Sequence, residues 1–179
     1  MCLVSGLTGA AVMSLTTRGF PERTLSAQPR LARVSAEDFV AIQQLLWDNH
    51  WGYDFASKDG ADMWTNTFLP DAKIDNDAGT HLSGHEEIRK YALDPIKQNA
   101  DRRLRHWTST FQITPNKDGA MLKAFWYTVS DDGKPGSKLA IGGTGWYESQ
   151  VVRTRDGWKI KHHGIHSEGG IVATPVAAK

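Results

Sequence analysis

The 179-residue sequence contains a single cysteine, Cys2, so it can form neither an internal disulfide nor a cysteine-based zinc site. An excess of charge is also missing, because 21 Lys and Arg stand against 20 Asp and Glu and leave a formal net charge of +1. This balance gives no reason to expect nucleic acid or an anionic membrane as a partner. The partner that we expect is a small-molecule substrate.

The sequence has no apolar run long enough to span a bilayer. Residues 3–15 are mildly apolar, but no Lys or Arg precedes them, so the basic region that opens a secretory signal is missing. We expect a cytoplasmic protein in which residues 1–34 form an extension, either poorly ordered or the remnant of an export signal. The folded domain is expected at residues 35–168, with a tail at 169–179.

Motifs for cofactor binding are absent too. The glycines within residues 142–145 lie in a strand-like segment and lack the strand–loop–helix setting of a phosphate loop. His162 and His166 would lie about 13 Å apart on a strand at ~3.3 Å per residue, with His163 on the opposite face, which does not suit joint ligation of zinc. No serine lies in a nucleophile elbow. We therefore expect no metal, nucleotide or flavin cofactor.

The first part of the sequence has helical periodicity. Ser35 can cap a helix whose first turn is acidic, and apolar residues then recur at helical spacing as far as Tyr53. Residues 58–60 are expected to end this helix. Two further helices are expected at about 61–68 and 85–97, giving three helices before the main run of strands.

The second part of the sequence is typical of strands joined by hairpins, because Asp-Gly pairs separate long segments rich in aromatic and β-branched residues. The expected strands are a short one at 72–75 and four long ones at 104–114, 121–130, 139–154 and 158–166. Helices followed by a run of strands predict an α+β fold in which helices cover a curved, mostly antiparallel sheet. The glycines within residues 142–145 predict bends or bulges in that sheet.

Four local strings then indicate a family. The strings are Tyr53-Asp54 late in the first helix, Leu69–Asp75 opening the first strand, Leu82–Ile88 before the third helix, and Arg105-His106 together with the hairpin Val152–Ile160. In this order they resemble the SnoaL-like and scytalone dehydratase-like branch of the nuclear-transport-factor-2-like fold, over residues 36–166. The resemblance implies a cone-shaped, cystatin-like domain with a pocket between helices and sheet.

The resemblance also implies catalytic residues. The family pattern puts a Tyr-Asp pair on the first helix and a His on the strand after the third helix, and Tyr53, Asp54 and His106 stand there. It implies acid–base chemistry in which Asp54 orients His106, and Tyr53 or Asn49 is expected to bind a substrate oxygen. The reaction expected is that of a cofactor-independent lyase on a mostly apolar aromatic or polyketide-like hydroxylated substrate. Dehydration is the reference reaction; isomerisation and retro-aldol cleavage need the same groups.

Further substrate-binding candidates come from the same comparison. Asn49 lies five residues before the helix Asp, where related dehydratases have Tyr, and Asn76 lies where the family has its second tyrosine. Trp146 and Glu148 take the places of a Ser and an Asn on a long strand, and Glu148 is an alternative base. His162 or His163 is expected to line the pocket.

Seven tryptophans suggest a cavity walled by flat side chains, although an aromatic-rich core explains them about as well. We predict that Trp126 forms part of the wall of that cavity. The strand-borne aromatics are too many for one interior, and they predict a homodimer or homotrimer.

The alternative to an enzyme is a non-catalytic module, either a ligand carrier or the small subunit of a ring-hydroxylating oxygenase.

Overall fold

The computed structural model of the chain describes residues 33–98, 103–131 and 133–170. The helices and strands in these residues are α1 (Ala36–Asp54), α2 (Lys58–Asn66), β1 (Phe68–Asn76), β2 (His81–Ser83), α3 (Gly84–Gln98), β3 (Arg103–Asn116), β4 (Gly119–Asp131), β5 (Ala140–Thr154) and β6 (Gly157–Gly170). The predicted extension and tail fall almost entirely outside the described residues. Within these three ranges, no helix has the length and apolar composition needed to cross a membrane.

The described strands form one six-stranded sheet in the order β2-β1-β6-β5-β4-β3. All neighbouring strands are antiparallel except β1 and β6, which run parallel with Phe68 opposite Ile160. The helices pack on this sheet, α1 against β3 and β6 and α3 against β1. The predicted α+β class, with N-terminal helices on a mostly antiparallel sheet, is confirmed.

The two faces of the sheet are distinct. On β4, Ala120, Leu122 and Trp126 are buried beneath the helices, whereas Lys123 and Phe125 between them are about half exposed. This alternation follows from the strand repeat of two residues. We call the helix-covered side, which carries Leu122 and Trp126, the inner face, and the side that carries Lys123 and Phe125 the outer face.

Helix boundaries follow from capping residues. Ser35 caps α1 as predicted, since its Oγ accepts a hydrogen bond from the Asp38 amide at 3.0 Å. The predicted break at residues 58–60 is wrong. The Ser57 hydroxyl accepts a bond from the Gly60 amide at 2.9 Å, so those residues open α2 instead of ending α1.

The strands also differ from prediction at one edge. β1 is longer than the predicted 72–75 because its hydrogen bonds come from β6, which is distant in sequence. The three-residue strand β2 was not predicted, since it has no periodicity of its own and pairs only with β1.

Helices α1 and α2 are held close together by two glycines. A Cβ on Gly52 would lie 2.5 Å from the Trp64 backbone nitrogen, and one on Gly60 would lie 2.5 Å from the Gly52 carbonyl oxygen. Only glycine allows this approach. Its consequence is that Trp64 of α2 reaches Tyr53 of α1, with ring centroids 5.1 Å apart.

Gly145 permits an irregularity in β5. The register between β5 and β6 shifts at Thr144 and Gly145, as the glycines of this segment predicted. A Cβ on Gly145 would lie 1.9 Å from the His166 carbonyl oxygen and 2.9 Å from Cζ2 of Trp126. The missing side chain therefore leaves space for the Trp126 indole on the inner face.

Candidate active site

A cavity of about 210 Å³ lies between the three helices and the inner face of the sheet. Its wall is aromatic and polar: the lining residues are Asn49, His50, Tyr53, Trp64, Ile74, Asn76, Thr80, Tyr91, His106, Trp126, Tyr147, His163, Ile165 and Ser167. The sequence-predicted residues Asn49, Tyr53, Asn76, Trp126 and His106 are therefore brought together at one cavity.

Asp54 and His106 form the tightest contact at this cavity. The Asp54 Oδ1 atom lies 2.6 Å from Nδ1 of His106, and Oδ2 accepts a hydrogen bond from the His106 backbone N–H at 2.6 Å. Their side chains are 5% and 16% exposed. A carboxylate against Nδ1 favours the tautomer with the proton there, which leaves Nε2 as the ring nitrogen free to exchange a proton.

The position of His106 in the sheet explains this geometry. β3 is an edge strand, so the outward-facing N–H of His106 has no further strand to bond and donates to Asp54 instead. Asp54 stands at the end of α1, where the helix dipole disfavours a carboxylate. The guanidinium of Arg105 bonds the Asp54 carbonyl oxygen at 3.1 Å, which helps this helix end accept the charge.

Tyr53 lies beside this pair. Its ring meets that of His106 edge-on at 5.7 Å and stacks on Tyr91 at 6.3 Å. Burial, and then the neighbouring Tyr91, raise the pKa of Tyr53 above its usual value. Its hydroxyl is therefore a proton-bearing donor at neutral pH.

His50 is a cavity residue that the sequence analysis missed. Its ring stacks on His106 at 5.4 Å and lies 5.3 Å from the ring of Tyr147. Burial lowers the pKa of His50 well below its usual value, with smaller contributions from His106 and His163, so it is neutral at pH 7. The signal was present in the sequence, because His50 lies four residues before Asp54 on the same helix face.

The far wall of the cavity is formed by β5 and β6. The Oγ atom of Ser149 lies 2.7 Å from Nδ1 of His163, and both residues are buried. Burial lowers the pKa of His163 to about 3, which keeps this histidine neutral. Burial raises the pKa of Tyr147, whose ring lies 4.8 Å from His163. Tyr147, which lines the cavity, and Ser149, which contacts His163 behind it, were not predicted.

The two asparagines are each held by one internal bond. Asn49 is 2% exposed and donates from Nδ2 to Oγ1 of Thr67 at 2.8 Å. Asn76 accepts on Oδ1 from the Thr80 amide at 3.0 Å. Both amides are thereby oriented at the cavity wall.

Trp146 and Glu148 do not line the cavity. The Trp146 ring stacks on His166 at 3.9 Å with Lys123 above it at 5.4 Å, and Glu148 pairs with Lys123 at 3.1 Å. Both side chains belong to the outer face. The resemblance placed this strand one residue out of register, and a shift of one residue moves each side chain to the opposite face of the sheet. The residues of this segment that lie on the inner face are Tyr147 and Ser149.

His162 also lies outside the cavity, on the outer face. Its Nε2 atom contacts Oδ2 of Asp75 at 2.6 Å, while His166 contacts Asp77 at 3.2 Å. His163 points inward, as the strand repeat predicted, and it is the histidine of this run that lines the cavity. In the part of the chain that the structure describes, no three His, Cys, Asp or Glu side chains gather as a set of metal ligands.

Three helices over an open, mostly antiparallel sheet, with a cavity between them, define a cystatin-like fold, which a solved structure from Nostoc punctiforme at 20% identity shares. The chain belongs to the SnoaL-like domain family, whose model matches residues 34–163. No curated protein matches the sequence.

Solved structures share the fold at low sequence identity. One, from Novosphingobium aromaticivorans DSM 12444 and provisionally described as a scytalone dehydratase, is 18% identical with a TM-score of 0.63 and covers 75% of this chain and 86% of its own. A second, provisionally an aromatic ring hydroxylase from the same species, is 23% identical with a TM-score of 0.63, covering 77% and 96%. ActVI-ORFA from Streptomyces coelicolor is 13% identical with a TM-score of 0.64, covering 73% and 96%. These likenesses show the fold alone.

Proposed function

We propose that the protein is a cofactor-independent lyase in which His106 is the acid–base residue and Asp54 orients it. The observation that carries the proposal is the contact of 2.6 Å between Nδ1 of His106 and Oδ1 of Asp54 at the wall of a cavity. A histidine held in this way can take up a proton at Nε2 while the carboxylate stabilises the imidazolium that forms.

The reference reaction is the loss of water from a β-hydroxy carbonyl compound. His106 Nε2 removes the proton from the carbon next to the carbonyl, and the C–O bond to the β-hydroxyl group then breaks. The proton on Nε2 passes to the departing hydroxide, so the products are water and a conjugated carbonyl compound. Tyr53, which carries its proton at neutral pH, donates a hydrogen bond to the carbonyl oxygen as negative charge develops there.

Retro-aldol cleavage uses the same groups in another order. His106 Nε2 removes the proton of the β-hydroxyl group, the carbon–carbon bond breaks, and an aldehyde leaves. The remaining enolate takes back the proton from the imidazolium. Isomerisation needs only the removal and return of a carbon-bound proton. Support for this general class comes from the neutral, proton-bearing donors around His106.

The test uses neutral aryl β-hydroxy ketones such as 4-hydroxy-4-phenylbutan-2-one. Dehydration yields benzylideneacetone, which absorbs at longer wavelength, and retro-aldol cleavage yields benzaldehyde and acetone. We expect one of these product sets with the wild-type protein and at least ~100-fold less with His106→Ala. Asp75→Asn on the outer face is the matched control. Equal turnover by His106→Ala would refute the acid–base role.

A second candidate function is a non-catalytic partner subunit. It is favoured by one observation, the stacked outer-face pair Trp107 and Tyr127, which lie 6.3 Å apart and are 56% and 39% exposed. Exposed aromatic groups of this kind occur at protein interfaces. Copurification with a different chain, without turnover of any β-hydroxy ketone, would favour this candidate.

We also propose that the same aromatic pair contributes to self-association as a dimer or trimer. Light scattering should then give a mass two or three times 19.8 kDa for the wild-type protein. Trp107→Lys should lower it to that of the monomer. The control is Trp51→Lys, which changes a residue of similar exposure, 62%, on helix α1. A monomeric wild-type protein would contradict the proposal.

A further inference from the structure

Two buried polar atoms at the cavity have no hydrogen-bond partner among the described residues. They are Nε2 of His50 and Nε1 of Trp126, in side chains of residues that are 7% and 9% exposed. Leaving one such atom unbonded costs roughly 1–3 kcal/mol. Thr108 carries the third unpartnered buried atom, and it does not line the cavity. Two of the three unsatisfied atoms thus coincide with the site.

The cavity wall carries no fixed charge in the described residues. None of its lining residues is Lys, Arg, Asp or Glu. Burial also keeps His50 and His163 neutral at pH 7. A carboxylate or phosphate placed here would lose its hydration without gaining a permanent counter-ion, which is strongly unfavourable. The wall therefore favours an uncharged ligand.

The size of the cavity limits what it can enclose. Its volume is about 210 Å³, whereas an apolar protein cavity of about 150 Å³ holds one benzene molecule. The wall includes aromatic rings from Tyr53, Trp64 and Tyr147. Aromatic rings pack well against such surfaces. The volume of the cavity therefore limits the enclosed part of a ligand to one substituted ring. Any further part of the ligand would lie outside the cavity mouth.

From these observations we propose that His50 and Trp126 are ligand-anchoring residues, which hold the oxygen groups of an uncharged aromatic compound with one ring inside the cavity. The indole N–H only donates, so Trp126 requires an oxygen that accepts: a carbonyl, an ether or a hydroxyl. A neutral imidazole donates or accepts according to its tautomer, so a hydroxyl group suits His50. The proposal rests on the proposed function only in taking this cavity as the site.

Binding, rather than turnover, tests the proposal. The probes are the three isomeric hydroxybenzyl alcohols, with toluene as the apolar control and the three hydroxybenzoates as the charged control, titrated by calorimetry at pH 7.5. We expect at least one alcohol to bind at least ~10-fold more tightly than toluene and than its matching hydroxybenzoate. The proposal would be overturned if no alcohol bound with a Kd below about 10 mM, or if the matching hydroxybenzoate bound as tightly as the alcohol.

Variants identify the anchoring atoms. His50→Phe and Trp126→Phe should each weaken alcohol binding at least ~5-fold, as the loss of one hydrogen bond requires, and leave toluene binding within ~2-fold. Thr108→Val, which removes an unpartnered hydroxyl of a residue that does not line the cavity, should change neither. Unchanged alcohol binding by both ring variants would overturn the anchoring role.

A measurement on the wild-type protein covers the case in which a ring variant fails to fold. The indole N–H resonance of Trp126 in an assigned spectrum should shift on addition of the alcohol that binds, while that of Trp107 on the outer face should not. An unmoved Trp126 resonance at saturation would overturn the assignment. Alcohol binding and turnover of the β-hydroxy ketone are measured separately on the wild-type protein, so failure of the proposed chemistry and failure of the anchoring site are distinguishable.

Discussion

The two faces of the sheet contain the same kinds of residue in opposite surroundings. On the inner face, Asp54 holds His106 at 2.6 Å with both side chains largely buried. On the outer face, Asp75 holds His162 at the same distance, but these side chains are 44% and 47% exposed. The contacts are equal in length and differ in access to water.

This difference teaches that a short His–Asp contact alone does not define an active site. Water screens the outer pair, so its charge and orientation do little for a bound molecule. The inner pair faces a cavity of neutral donors, where electrostatic interactions are stronger. Burial under the helices, rather than residue type, separates the two sites.

The largest effect is expected on activity at the inner pair. His106→Ala and Asp54→Asn should each lower kcat by at least ~100-fold with little change in Tm. The double variant should lose hardly more than either single one, because the two residues act as one unit. Steady-state kinetics with a β-hydroxy ketone that the wild-type protein converts gives kcat for the single and double variants. The outer-face variants His162→Gln and Asp75→Asn should stay within ~3-fold of wild type. Comparable losses at both pairs would remove the distinction between the faces.

The next largest effect is expected on the free energy of unfolding, when two adjacent residues of β4 are each replaced by alanine. Leu122 is completely buried on the inner face, so Leu122→Ala should cost about 3 kcal/mol of unfolding free energy. Lys123 lies on the outer face with a surface ion pair to Glu148, and Lys123→Ala should cost less than about 1 kcal/mol. Urea unfolding of both variants measures the contrast. Equal costs would contradict the inner–outer assignment of this strand.

The loss of folding stability at low pH should come from the buried histidines of the inner face. The folded protein holds His163 neutral, with a pKa of about 3, while the unfolded chain binds a proton near pH 6.5. The unfolded state therefore binds more protons between pH 6.5 and pH 3, and in this window the loss of stability from this histidine approaches about 1.4 kcal/mol per pH unit. His50 adds in the same direction.

Unfolding free energies at pH 7, 6 and 5 test this expectation. His163→Gln should show a shallower decline with pH than wild type, whatever its stability at pH 7. His162→Gln, the outer-face neighbour, retains the contribution of His163 and serves as the control. An identical slope in His163→Gln and wild type would show that His163 is not held neutral.

The smallest effect is expected from the outer pair itself. Hydrogen bonds from His81 and then His162 hold the pKa of Asp75 below its usual value, so any stabilisation by this carboxylate is lost only in strong acid. Asp75→Asn at pH 7 should lower Tm by less than about 3 °C, since exposed pairs contribute under about 1 kcal/mol. Added salt should shrink even this difference. Thermal melts at low and high salt provide the measurement.

Local patterns predicted most of the fold. The Ser35 cap and the helical spacing that follows placed α1, and Asp-Gly turns placed the hairpins of β3 to β6. These signals lie within a few residues of the features that they specify. β2 and the length of β1 escaped prediction because their hydrogen bonds come from distant parts of the chain.

The site was predicted unevenly for a related reason. Asp54 and His106 were predicted by resemblance, and the structure brings them into contact although they lie 52 positions apart in the chain. Trp146 and Glu148 were assigned to the pocket, but a shift of one residue in strand register puts them on the outer face. His50 was not predicted although it lies one helical turn before Asp54, and its stacking on His106 of β3 exists only in the folded structure.

The sequence by itself determined most of the helices and strands, their order, and the choice of an α+β fold, because these depend on periodicity and turn residues close together in the chain. Only the tertiary structure decided which of two adjacent side chains faces the cavity, and which histidine is buried away from solvent. Those outcomes depend on which face of the sheet the helices cover, and so on the packing of α1 against β3 and β6. These contacts join residues that are distant in the chain, and burial, with the proton affinity that follows from it, exists only once they have formed.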